Sequence, residues 1–240
     1  MRNVGVVVGV VGDKPIAEYS SIDAGKVRDA MIAKGLAVLS VKRTFITIKA
    51  ITNLAIAEYG LDIRNPFSYI FMPDTDIQKR VSIPVETIRE ITQACHDIDD
   101  DIRWLIALIS DTGMRLAEAA GLHIDDLCLD EDVPYVDIRP HPWRSLKTKG
   151  SQRKVPLVSA SLWAAQRIRA NASSCFAFPR YTDNDRCNAN SASNALNKWL
   201  KSNFRDDIVV HGFRHAIRDR LRAAQCPSEM IDQVGGWSSG

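Results

Sequence analysis

The sequence predicts a mainly helical protein of two domains, with a small antiparallel β-sheet set into the second. Three features carry that expectation. Apolar residues recur at three- and four-residue steps over most of the chain, β-branched residues cluster around residues 134–158, and Pro- and Gly-marked breaks separate two helical regions near residue 80. With 240 residues and 45% apolar content, the chain can bury an ample core in one large domain or two modest ones.

In chain order, Val4 to Val11 is a short, Gly-interrupted apolar run followed by Gly12-Asp13-Lys14-Pro15. It lacks a small-residue cleavage site and reads as the end of a helix or strand rather than a signal core. Ser20 or Ser21 can cap a helix from Ile22 to Ala33, with Gly35 closing it, and Ser40 can cap a second from Val41 to Glu58 before Gly60. On the second helix Phe45, Ile48, Ile51, Leu54 and Ala55 form one predicted apolar stripe, and Lys42, Arg43 and Lys49 occupy the other face. Asn65-Pro66-Phe67 and Met72-Pro73-Asp74 then break the pattern into a linker, which sets the expected domains at residues 1–80 and 81–240.

In the second domain, Val85 to Cys95 and Asp101 to Ser110 read as helices. The latter is apolar almost all round (Ile102, Trp104, Leu105, Ile106, Leu108, Ile109) and is therefore expected at the centre. Pro134 to Ile138 and Lys154 to Val158 read as strands joined by a turn at Lys149-Gly150-Ser151. Three further helices are expected at Leu162 to Ala170, Ser191 to Asn203 and His211 to Ala224.

Composition narrows the function. No apolar run approaches the roughly 20 residues needed to span a bilayer, so no membrane association is expected. The five cysteines are widely spaced and never form Cys-x-x-Cys, which argues against a disulfide framework and a zinc site and for a reducing, cytoplasmic setting. His211 and His215 stand four apart on a helix, but no cysteine or carboxylate neighbour completes a metal ligand set. Net charge is only +2, yet from Arg139 to Lys154 there are six basic residues (Arg139, Arg144, Lys147, Lys149, Arg153, Lys154) and no acid. Such a segment suits contact with a phosphate backbone or an ordinary solvated hairpin.

Two motifs bear on chemistry. Thr112-Gly113-Met114-Arg115-Leu116-Ala117-Glu118 puts an arginine after a glycine turn, with a carboxylate three residues on to steer the guanidinium. In His211-Gly212-Phe213-Arg214-His215, the helix carries an apolar stripe of Phe213, Ile217, Leu221 and Ala224. His211, Arg214, His215, Arg218 and Arg222 fall on another face. Like charges at these spacings repel, so such a face calls for acids or phosphate opposite it.

Taken in order, Thr112-Gly-x-Arg115-x-x-Glu118, Lys147-Thr-Lys149 leading into Arg153-Lys-Val-Pro156-Leu157, His211-x-x-Arg214-His215 and Gly235-Gly236-Trp237-Ser238-Ser239 resemble the catalytic domain of the tyrosine recombinases, the phage-integrase family. The resemblance spans residues 84–240, and the preceding helices resemble that family's helical, SAM-like core-binding domain. It implies a double-stranded DNA partner and catalytic positions at Arg115, Lys147, His211, Arg214 and Trp237, supported by Glu118 and His215. Lys149 is the alternative to Lys147 as proton donor to the leaving oxygen. Lys42, Arg43, Lys49, Arg144 and Arg153 are expected against the DNA. Neither metal nor cofactor is implied, because a covalent tyrosyl intermediate conserves the bond energy. The family nucleophile is expected beyond Trp237 and outside the 240 residues. The full-length parent would then act as a homotetramer on paired sites, whereas the chain as given would be a monomer that binds DNA without cutting it. A DNA-binding module or prophage remnant without cleavage is the competing expectation.

Overall fold

The computed structural model describes residues 2–74 and 82–237, and the chain divides into two compact units, Met1–Lys79 and Arg80–Gly240. In the first unit the helices are α1 (Arg2–Val11), α2 (Ser21–Ala33) and α3 (Val38–Glu58). Ser20 starts α2 through a capping box: its Oγ accepts from the Asp23 amide at 3.2 Å, and Asp23 Oδ2 accepts from the Ser20 amide at 3.1 Å. Gly35, at φ +79°, supplies the left-handed turn that follows.

α3 corrects the sequence expectation twice. It begins at Val38, with Ala37 at its cap and no side-chain capping bond, so Ser40 lies inside the first turn. Its buried line is Val41, Phe45, Ile48 and Thr52, the first three packed in a cluster with Val7, Ala24, Val27, Met31 and Phe67. Ile51 and Leu54 stand 43% and 62% exposed. Each three-residue step on a helix turns back by about 60°, so two in succession carry Leu54 about 120° away from Ile48. Arg43 and Lys49 are exposed and Lys42 is half-buried; Lys49 Nζ lies 5.9 Å from the Tyr69 ring centroid.

The second unit contains α4 (Val85–Ile98), α5 (Asp101–Thr112), α6 (Leu116–Ala120), β1 (Leu127–Cys128), β2 (Tyr135–Ile138), β3 (Arg153–Pro156), α7 (Ser159–Ala170), α8 (Ala189–Asn203), α9 (Gly212–Ala223) and α10 (Ser228–Gly235). Asp100 caps α5, its Oδ1 accepting from the Arg103 amide at 3.0 Å. Every residue of α5 from Leu105 to Thr112 is buried, as expected for a central helix. The sheet is antiparallel in the order β1-β2-β3, with Tyr135 opposite Pro156 and Ile138 opposite Arg153.

β2 and β3 are not joined by a tight turn at Lys149-Gly150-Ser151. Residues 139–152 form a longer connection containing a His141–Arg144 bridge and a short 3-10 turn, Lys149–Ser151. β1 and α10 have no counterpart among the expected elements. β1 has only two residues and so shows no alternation, while α10 is eight residues starting after Pro227.

Candidate anion-binding site

The site is built where the C-terminus of α5, the start of α6, β3, the first turn of α9 and the end of α10 meet. Gly113 ends α5 in the left-handed region, at φ +60°. A Cβ there would lie 2.3 Å from Ile217 Cγ2, so only glycine lets the end of α5 run this close to α9.

Two residues later Arg115 occupies the cap position of α6 and is held at both ends. Its amide donates to Glu118 Oε2 at 2.9 Å, and its Nη1 donates to Glu118 Oε1 at 2.7 Å and Ser151 Oγ at 3.2 Å. Its Nη2 donates to the Gly236 carbonyl at 3.3 Å. The side chain keeps 25% exposure, so the fixed guanidinium still reaches solvent.

Glu118 is 3% exposed and also accepts from Arg153 Nη2 at 3.0 Å. Burial pushes its carboxyl up, but the Arg153 and Arg115 guanidiniums outweigh this and hold it below its ordinary value of 4.5. Arg153 is itself buried; its Nη1 donates to the Ser151 carbonyl at 2.7 Å and its Nε to the Val234 carbonyl at 2.8 Å.

Arg214 projects from the first turn of α9 and is 4% exposed. Its Nη1 donates to the Gly113 carbonyl at 2.7 Å, and its Nη2 donates to the Gly235 carbonyl. The Trp237 ring centroid lies 4.6 Å from the Arg214 guanidinium and 5.1 Å from that of Arg218. Burial, reinforced by the nearby Arg115 charge, pushes Arg214 down to about 10. Arg115 and Arg153 thus bond one buried carboxylate, Glu118, whose charge also acts on Arg214, while Arg218 lies 3.8 Å from Asp232. The cations outnumber the carboxylates here, and an anion between Arg115 and Arg214 would relieve the repulsion between these guanidiniums.

The remaining predicted residues are placed as follows. His211 stands exposed at the start of α9 with its ring 5.1 Å from that of His215, and it lines a recess with Met114, Leu116 and Asn190 beside Arg115. His215 is exposed. Lys147 is exposed in the connection between β2 and β3, one residue before Thr148, whose Oγ1 lies 3.0 Å from Ser151 Oγ. Lys149 opens the 3-10 turn; its side chain, like Ser238 and Ser239, lies outside the described residues.

Arg144 and Arg153 correct the expectation that both face DNA. Arg144 is 4% exposed, lies across Gly121 and donates to the Arg139 carbonyl at 2.7 Å; Arg153 is 8% exposed and fully engaged. Neither guanidinium is free to meet a backbone phosphate. The sequence reading missed the structural parts played here by Arg153 and Ser151. Their signal was the Ser-x-Arg spacing before β3, which gives a charge pattern but not its inward direction. Among the described residues, no group of three or more His, Cys, Asp or Glu side chains could hold a metal ion.

The Phage integrase family profile matches residues 82–240. The fold is similar to the Tn1549 transposon integrase in complex with transposon right end DNA, at 21% identity and a TM-score of 0.76 over 99% of this chain and 84% of that one. It is also similar to a lambda integrase tetramer bound to a Holliday junction, at 15% identity and a TM-score of 0.75 over 100% of this chain and 70% of that one. Comparison with curated proteins found no match. The profile match over most of the chain shows that it belongs to the phage integrase family, the tyrosine recombinases.

Proposed function

We propose that this chain is the DNA-holding part of a site-specific recombinase, and that Arg115 and Arg214 grip the scissile phosphate. The observation that carries the reading is the convergence of two fixed guanidiniums, one partly exposed and one pushed down to about 10 by burial, with donors aimed from two different helices. Attack on a phosphodiester adds negative charge to the non-bridging oxygens, and preorganised donors meet that charge without reorganising. Trp237 carries a donor-only indole N–H, so its role is to shelter and position the arginines rather than to move a proton. His211 contributes a further ring nitrogen at the edge of the site. Lys147, on the exposed connection, is the proton donor to the leaving 5′ oxygen, with Lys149 as the alternative.

The nucleophile of the proposed reaction is a tyrosine. Of the two tyrosines in the second unit, Tyr181 is buried at 5% exposure, and the Tyr135 hydroxyl accepts from Lys154 Nζ at 3.1 Å. Residues 1–80 serve as the core-binding domain, through Lys42, Arg43 and Lys49. The parent protein works as a tetramer on paired DNA sites in the cytoplasm, of phage or prophage origin. Among the described residues, no helix is long and apolar enough to cross a membrane.

The test is covalent trapping on a suicide duplex by a chain extended to carry the attacking tyrosine. Arg115→Ala and Arg214→Ala should each remove about 3 to 4 kcal/mol of transition-state stabilisation, abolishing adducts while helical circular dichroism persists. Adducts at the parental level in either variant would refute the phosphate grip.

A further inference from the structure

We infer that Arg153 is the positioning residue of the anion site, a buried guanidinium that ties together the start of α6, the connection before β3 and the end of α10. Its Nη2 donates to Glu118 Oε2 at 3.0 Å, and Glu118 in turn orients Arg115 through both the amide and Nη1. Its Nη1 donates to the Ser151 carbonyl at 2.7 Å, next to the hydroxyl that accepts from Arg115 and contacts Thr148 in the lysine-bearing connection. Its Nε donates to the Val234 carbonyl at 2.8 Å. The next two carbonyls, of Gly235 and Gly236, hold Arg214 and Arg115. A Cβ on Gly236 would approach Arg153 Nη1 to 2.8 Å, so the Gly236 backbone passes directly over the guanidinium.

This arrangement uses the planar fork and not the charge alone. Three nitrogens serve three separate segments, and a lysine ammonium cannot span them with the same geometry. The charge has a second consequence. Glu118 is faced by Arg115 on its own helix, Arg153 from β3, Arg144 from the connection and Arg214 from α9. Among these, Arg153 acts most strongly in keeping the buried carboxyl ionised. Without Arg153, burial gains the upper hand and Glu118 takes up a proton at higher pH. A protonated Glu118 no longer steers Arg115 with a full negative charge.

The inference rests on the reading of Arg115 and Arg214 as an anion grip, and the experiment separates the two. The 240-residue chain, labelled with 15N in its arginine side chains and 13C in its glutamate carboxyls, is titrated with inorganic phosphate and with acid. In the parent chain, phosphate should shift the Arg115 and Arg214 guanidinium signals but not that of Arg153, and the Glu118 carboxyl should titrate below 4.5. In Arg153→Gln, phosphate affinity should fall about tenfold, as for loss of a charged hydrogen-bonding partner, and the Glu118 midpoint should move above its ordinary value. Arg153→Lys should keep the Glu118 midpoint low yet fail to restore phosphate affinity, and it carries the test if the Gln variant does not fold. Parental affinity in either variant, or an unmoved Glu118 midpoint in Arg153→Gln, overturns the positioning role alone. A parent chain whose Arg115 and Arg214 signals ignore phosphate overturns the grip and this role with it.

Discussion

At the scale of single residues, Glu118 shows how one buried carboxylate can organise several cations. Its two oxygens receive Arg115 twice and Arg153 once, at 2.7 to 3.0 Å and 3% exposure. Removing one partner of such a pair leaves buried charge uncompensated, so Glu118→Ala should cost about 3 to 5 kcal/mol of folding stability. The pH dependence has a fixed sign. The folded-state carboxyl titrates below its ordinary 4.5 because the arginines outweigh burial. Its contribution is therefore fully present above the unfolded-state value and is lost as pH falls through the folded-state value. Urea unfolding of the parent chain and Glu118→Gln over a pH series should show a stability difference that is constant near neutrality and narrows below 4.5. A gap that widens on acidification would mean that the carboxyl is not held ionised by its neighbours.

At the scale of elements, α3 separates periodic pattern from actual packing. Phe45 is 5% exposed and Leu54 62% exposed, although both belong to one arithmetic stripe. Phe45→Ala should cost about 3 to 4 kcal/mol through lost burial and the cavity left behind, while Leu54→Ala should stay within about 0.5 kcal/mol; equal losses in thermal or denaturant unfolding would restore the stripe as first read. Helix α2 was legible from its Ser20 cap, and α5 from an apolar run that leaves it no solvent face. Strand β1, with two residues, is too short for any alternation to register, and helix α10 holds only eight. The candidate site was legible as motif residues, since Arg115, Glu118, Arg214 and Trp237 do come together. The inward turn of Arg144 and Arg153 was not. A basic run on a β-connection gives no sign of which cations point in, because that is decided by carbonyls and a carboxylate brought from α6 and α10.

At the scale of the whole molecule, the formal charge of +2 conceals two kinds of cation. Arg144 and Arg153 are buried at 4% and 8% exposure outside the proposed grip, whereas Arg43 and Lys49 in the first unit are exposed and Lys42 is half-buried. Only cations that reach phosphates release counterions, and each such contact contributes about 0.9 to the slope of log K against log salt for duplex DNA. The proposed DNA contacts of the first unit therefore make a quantitative claim. The triple variant Lys42→Gln, Arg43→Gln, Lys49→Gln should flatten the slope by up to about 2.7 in fluorescence anisotropy with a duplex probe. Arg144→Met should leave the slope where it is, because that guanidinium lies across Gly121 with Nε and Nη1 unpartnered and sealed from solvent. An unchanged slope in the triple variant would remove α3 from the interface, and a flattened slope in Arg144→Met would mean that the connection between β2 and β3 opens on DNA. The pair of measurements thus divides the basic residues by what burial permits, which net charge by itself cannot do.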